Sequence, residues 1–173
     1  MKRLHVWSIL FVGLFTTQIA NAQQVEPAMT TSYSNEAIAG MIRQHRASRA
    51  RETMPSVSLQ QKFVKDFPRA ADSEWEFGAG VYEVEFDVRF RDYVAYYDEK
   101  GELLMVVREI ARRDLPAVVK TSAEDRFPKY RFETIEKIQR GSEIFYRVEM
   151  ELRDNEVQMV LKSDGTVLEN GLS

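Results

Sequence analysis

The stretch VYEVEFDVRFRDYVAYYDEKGELLMVVREI, Val81 to Ile110, constrains the fold more than any other part of the chain. Tyr82, Val84, Phe86, Val88 and Phe90 alternate with Glu83, Glu85, Asp87 and Arg89. Strict period two over this run means a strand with one face buried and one face wet. Arg91-Asp92 turns the chain. Tyr93, Ala95 and Tyr97 then share a face, with Val94 and Tyr96 on the other. Asp98-Glu99-Lys100-Gly101 reads as a hairpin turn in which Gly101 takes positive φ. Leu103 to Ile110 completes three consecutive antiparallel strands. On this alternation Tyr93 and Tyr97 face the core and Tyr96 faces outward beside Val94. Trp75 is read as core.

A looser copy runs from Ile144 to Leu168. Tyr146, Val148, Met150 and Leu152 alternate with Arg147, Glu149, Glu151 and Arg153. Val157, Met159 and Leu161 follow on an inward face, and Ser163-Asp164-Gly165 turns. Each copy is preceded by a helix. In the first, Ser58 and Gln61 fit a capping box, with Ser58 as N-cap. Leu59, Phe63 and Phe67 line one helical face, and Phe67-Pro68 stops it because a residue before proline avoids the helical region. Asp72 to Phe77 then forms a short strand, with Glu74 and Glu76 on one side. In the second copy Asp114 is expected to cap, with Pro116 in the first helical turn. Phe127-Pro128 is the stop, 60 residues after Phe67-Pro68. Tyr130 to Gln139 forms a strand whose Phe132, Ile135 and Ile138 do not alternate cleanly.

The expected fold class is α+β: two tandem repeats, each one helix followed by a four-stranded antiparallel sheet. They span 57–112 and 113–173. A unit of about 60 residues buries only a marginal core alone, so the two halves are expected to pack as one cooperative body.

The helix ending in Phe-Pro, the strand carrying Trp75, the run YEVEF, then YYDEKGELL and Asp114-Leu115-Pro116 resemble the PepSY-like, β-lactamase-inhibitor-like (BLIP-like) domains of exported bacterial proteins. Tandem copies are common in that family. The resemblance covers 57–170, and its second copy lacks a counterpart of Trp75 and of the paired tyrosines. It implies a periplasmic or secreted module of helices packed on antiparallel sheets, acting by binding. It implies no site residues.

The N-terminus points to export independently. Lys2 and Arg3 precede an apolar run from Val6 to Phe15, and Ala20-Asn21-Ala22 supplies a cleavage signature, so 1–22 reads as a signal peptide. The run is too short to span a bilayer comfortably, and no other stretch is long enough. No transmembrane segment is expected after cleavage. Residues 23–56 read as a mobile tail, Gln23 to Ser32, followed by a basic linker helix from Ser34 to Arg51. Ala37, Ile38, Met41 and Ile42 give that helix a short apolar stripe. Arg43, Arg46, Arg49 and Arg51 cluster at its end, where the helix dipole favours cations.

Removing Lys2 and Arg3 from the 24 basic residues leaves 22 against 27 acidic ones, a net charge near −5. Such a chain lacks the basic footprint of a nucleic-acid binder. There is no cysteine, and His45 is the only histidine after export, so zinc of the His/Cys type is excluded. No nucleophile elbow or nucleotide loop occurs. The chain is therefore read as non-enzymatic, with no cofactor. Its expected role is to bind a protein or peptide in the cell envelope through the outward sheet face. Glu83, Glu85, Asp87, Val94 and Tyr96 are the candidate contact residues. The alternative is an envelope sensor of a small ligand or cation such as calcium, using the acidic row. Cross-strand arginines favour a solvated, salt-laddered face over that second reading.

Overall fold

The alternation at Val81 is realised as β3, Val81–Asp87, in a computed structural model that describes residues 27, 29 and 31–172, with side chains through 168. The signal segment lies outside these residues. In chain order the elements are α1 (Asn35–Ala47), β1 (Arg51–Glu52), α2 (Val57–Asp66), β2 (Ala71–Gly78), β3, β4 (Asp92–Asp98) and β5 (Leu103–Glu109). A short 3-10 turn and α3 (Ala117–Arg126) follow. Then come β6 (Arg131–Arg140), β7 (Glu143–Leu152), β8 (Asn155–Lys162) and β9 (Val167–Leu172). The class is α+β.

All nine strands join one antiparallel sheet in sequence order, β1 to β9. Two separate four-stranded sheets were expected; instead β5 pairs with β6 from Met105↔Arg140 to Glu109↔Glu136. The reason lies in β5. Leu103 to Val107 are buried on both faces, which suits a central strand and not an edge. Joining the halves also removes two rows of unpaired backbone groups. A ninth strand, β1, adds to the N-terminal edge through Arg51↔Phe77 and Glu52↔Glu76.

One sheet face carries α2 and α3. Under α2, Phe63 meets Phe86, Trp75 and Phe67 at ring distances of 4.9, 5.3 and 5.6 Å. Trp75 is core, as expected, and Tyr97 is fully buried with its hydroxyl donating to Asp66 at 3.1 Å. Under α3, Val119 and Ala123 close over Tyr146, Val148, Met150, Met159 and Leu161. The opposite face is packed by α1, whose Ile38 and Ile42 bury against Val81, Tyr96, Leu104, Met105 and Val107.

Several boundaries differ from the expectation for local reasons. The alternation of Tyr82 to Phe90 does not continue to its end. Val88 and Arg91 exchange backbone hydrogen bonds, with Arg89 and Phe90 between them at φ 53° and 63°. That tight turn puts the Phe90 ring in solvent. The cap of α2 is Ser56, whose Oγ accepts from Leu59 N at 3.3 Å, and Ser58 already lies inside the helix. Asp114 does not cap α3. Leu115, preceding Pro116, is held extended, so the helix starts only after the proline. The irregular alternation of β6 is a register shift between Phe132 and Ile135. Gly101 and Gly165 take φ of 82° and 85° in their turns, the region open to glycine.

Candidate functional site

The two sheet faces differ in how they are closed. α2 and α3 cover one. On the other, α1 crosses the strands at the end carrying the β2–β3, β4–β5 and β6–β7 turns and leaves the remainder open. Its N-terminus is pinned first. Ser32 N and Oγ donate to Glu102 at 3.0 and 2.9 Å, and Tyr33 Oη donates to Asp98 at 3.0 Å. The backbone N–H of Ser32 is the main cause that holds the Glu102 carboxyl below its ordinary range. Ser34 caps the helix as expected, accepting from Ala37 N.

At the other end of α1, His45 is only 2% exposed. Its Nδ1 donates to the Gly78 carbonyl at 3.0 Å, and its Nε2 lies 2.6 Å from Glu83 Oε2. A contact that short needs a proton between the two atoms. Glu83 Oε1 also accepts from Tyr96 Oη at 3.1 Å, and the imidazole meets the Tyr96 ring edge-on at 6.0 Å. Burial, and after it the Glu83 carboxylate, pushes the Tyr96 hydroxyl up to about 12; a hydrogen bond from Arg46 acts in the opposite sense. The basic helix was expected to be a solvated linker. It is a packed element, fastened at both ends.

This placement separates the five candidate contact residues. The register confirms one row, because Glu76↔Glu83↔Tyr96 and Glu74↔Glu85↔Val94 pair across β2, β3 and β4, with Asp87 opposite Asp92. Tyr96 does project from this face, but α1 covers it and it is 3% exposed. Glu83 is committed to His45 and Tyr96. Glu85 is exposed, while Asp87 and Val94 are half-buried on the part of the face that α1 leaves open.

No cation among the described residues pairs with Glu85. Partial burial first, then the charges of Glu83, Glu76, Glu74 and Asp92, raise its carboxyl above the ordinary value of 4.5. An acid whose folded value is raised disfavours the folded state at every pH where it is ionised, and ceases to do so as pH falls below its unfolded value. Glu85→Gln is therefore expected to raise the melting temperature slightly at pH 7, with the difference vanishing near pH 4. A gain that persists at acid pH would mean charge is not its source. Among the described residues no group of three or more acidic or histidine side chains is arranged to hold a metal ion.

One cluster joins residues that lie far apart in the sequence. On the other side of α1, a cleft of about 450 Å³ opens between the helix and strands β5 to β9. Arg43 and Arg46, one helical turn apart, form its wall. Arg140 and Arg147 rise from β6 and β7, and Met105, Ile138, Phe145, Val160 and Leu168 complete the lining. Arg147 pairs with Glu136, the neighbour across the β6–β7 ladder. Arg140 lies 3.6 Å from Glu143 and stacks over the Phe145 ring at 4.5 Å. The only advance signal was the spacing of Arg43 and Arg46 on one flank of a helix.

No protein-family model and no curated protein matches the chain. Solved structures do. A protein of Bacteroides eggerthii assigned to the periplasm superposes with a TM-score of 0.63 at 17% identity, covering 69% of this chain and 90% of that one. A DUF2874 family protein of Bacteroides uniformis gives 0.62 at 14% identity, covering 69% and 90%. A BLIP-like protein of Bacteroides fragilis gives 0.59 at 19% identity, covering 69% and 87%. At such identities the likeness is one of fold: the chain has the fold of the BLIP-like proteins. No helix among the described residues is long and apolar enough to cross a membrane.

Proposed function

We propose that this chain is an exported, non-enzymatic binding protein of the periplasm or the surrounding medium. It engages a protein or peptide through the part of its sheet face that α1 leaves open. The observation that carries this reading is the asymmetry of the sheet. One face is closed by α2 and α3 over two aromatic and aliphatic cores, while the other offers an open, charged surface with a lined cleft. An uncovered sheet face beside a helix is a ready groove for a partner segment. Support for location comes from the N-terminal leader pattern and from the periplasmic assignment of the Bacteroides eggerthii neighbour. The name of the BLIP-like neighbour favours action by binding another protein. We read 57–112 and 113–173 as two repeats merged into one sheet, with α1 laid over their junction.

Site-directed photo-crosslinking in the native host tests this reading. A photoreactive side chain at Glu85 or Val160 of the open face should trap a protein. The same group at Val64 of α2 or Val118 of α3, both exposed on the opposite side, should not. Equal trapping from both sides, or none from the open face, would remove the assignment.

A further inference from the structure

The cleft beside α1 has a chemistry unlike the rest of the chain. The whole protein is acidic, with a formal net charge of −3, yet four arginines converge here from three elements. Among the described residues Arg43 makes no ion pair, and Arg46 hydrogen-bonds the hydroxyl of Tyr96. Arg147 is matched by Glu136 with Glu149 nearby, and Arg140 is held loosely by the half-exposed Glu143 with Glu36 of α1 nearby. Glu169 holds the register position opposite Val160 at the far edge.

A second observation is independent of charge. Arg140 Nε is buried and has no hydrogen-bond partner among the described residues. A buried guanidinium N–H without a protein acceptor is a donor that a water, an ion or a bound carboxylate can satisfy. The guanidinium carbon lies over the Phe145 ring, 4.5 Å from its centroid, which holds the group against the cleft floor. A planar donor fork of this kind suits a carboxylate. The floor is not polar, however. Phe145, Val160 and Leu168 offer apolar surface between the arginines, and Leu168 is 49% exposed. A small free anion would leave that surface uncovered. A segment with both carboxylates and apolar side chains would use all of it.

Resting on the binding role given above, we propose that the cleft between α1 and β6–β8 docks an extended, acidic and apolar segment of a partner protein, its carboxylates read by Arg43, Arg46, Arg140 and Arg147. Arg43 and Arg46 contact it from the helical wall. Arg140 and Arg147 contact it from the sheet, with apolar side chains seated on Phe145 and Leu168.

The test uses the full exported chain and a short fluorescein-labelled peptide alternating glutamate and leucine. Saturable binding is expected by anisotropy, weakening as salt rises because the contacts are partly exposed. The same peptide with glutamine in place of glutamate should bind at least about tenfold more weakly. Arg43→Gln/Arg46→Gln keeps good helix formers on α1, and Arg140→Met keeps the stem over Phe145. Each should lose about tenfold or more toward the glutamate peptide while retaining the parent's circular dichroism. Equal binding of both peptides, no binding of the glutamate peptide, or full binding by both variants would overturn the proposal. So would capture of phosphatidylglycerol vesicles without capture of the peptide, which would make the cleft a lipid-facing surface. If crosslinks from Val160 persist while the peptide is ignored, the acidic segment is wrong and the binding role stands. If crosslinks from both Glu85 and Val160 are absent as well, both fall.

Discussion

Phe63→Ala is expected to cost about 3–5 kcal/mol, the largest stability loss of any single substitution in α2. The Phe63 ring is the hub of the first core, in contact with Trp75, Phe86 and Phe67. Truncation removes its transfer free energy and leaves a cavity among rings that cannot collapse, because each is fixed by the strand or helix that carries it. For a domain of this size a loss of that order lowers the melting temperature by roughly 10 °C. The same variant reports on cooperativity. Trp75 is the only tryptophan among the described residues and sits in the first core, whereas far-ultraviolet dichroism reads the whole sheet. With β5 and β6 paired in one continuous sheet, both signals should shift together. A Trp75 transition that moves alone would show that the halves melt separately.

His45→Ala is expected to free α1 while the rest of the sheet stays folded. The substitution removes the donor to the Gly78 carbonyl and leaves the Glu83 carboxylate with only the Tyr96 hydroxyl. Stranding a partly buried carboxylate costs about 2–3 kcal/mol, less than a fully buried ion because Glu83 retains 18% exposure. α1 is held mainly by Ile38, Ile42 and the contacts at its two ends, so the loss falls on the helix first. Hydrogen exchange should show α1 amides losing protection, with β3 to β8 unchanged. Glu83→Gln is the control. A glutamine amide can donate to the neutral Nε2, so this variant should keep most of the protection. If His45→Ala leaves α1 as slow to exchange as before, the histidine is not its fastening. If all amides speed up equally, α1 is part of the global unit.

The two results depend on features that differ in how openly the sequence shows them. The Phe63 core was foreseeable. Its helical spacing, the alternation of β3 and the Phe67-Pro68 stop are all short-range patterns, and burial follows from period alone. The turns at Gly101 and Gly165 were foreseeable because glycine meets their positive φ, whereas the β3–β4 turn falls at Arg89-Phe90 and not at the expected Arg91-Asp92. The role of Tyr96 was not. Its alternation correctly gave its face, but what covers that face is a helix some 50 residues upstream, and periodicity holds no term for which element docks where. His45 and Glu83 carry no mark that joins them before folding does. The arginine cleft is the same problem with more parts. Arg43 and Arg46 share a flank by spacing, but nothing in the sequence joins Arg140 to them, and only the β5–β6 pairing brings it beside α1. The joined sheet was the decisive missing fact, because edge-to-edge pairing of β5 with β6 depends on the cost of exposed backbone and not on any side-chain rhythm.

The fastening of α1 also has a consequence in time. A chain that emerges from its N-terminus presents α1 before any of the surface it lies on. His45 reaches Gly78 and Glu83, 33 and 38 residues later. Ile38 lies beside Gly141, in the turn between β6 and β7. The hairpins close over short loops and need nothing further downstream. α1 must wait for strands of both halves to emerge and join, and it closes the largest loops of the fold. The first of the described helices to be made thus waits on strands of both halves, and its apolar stripe stays uncovered while they emerge.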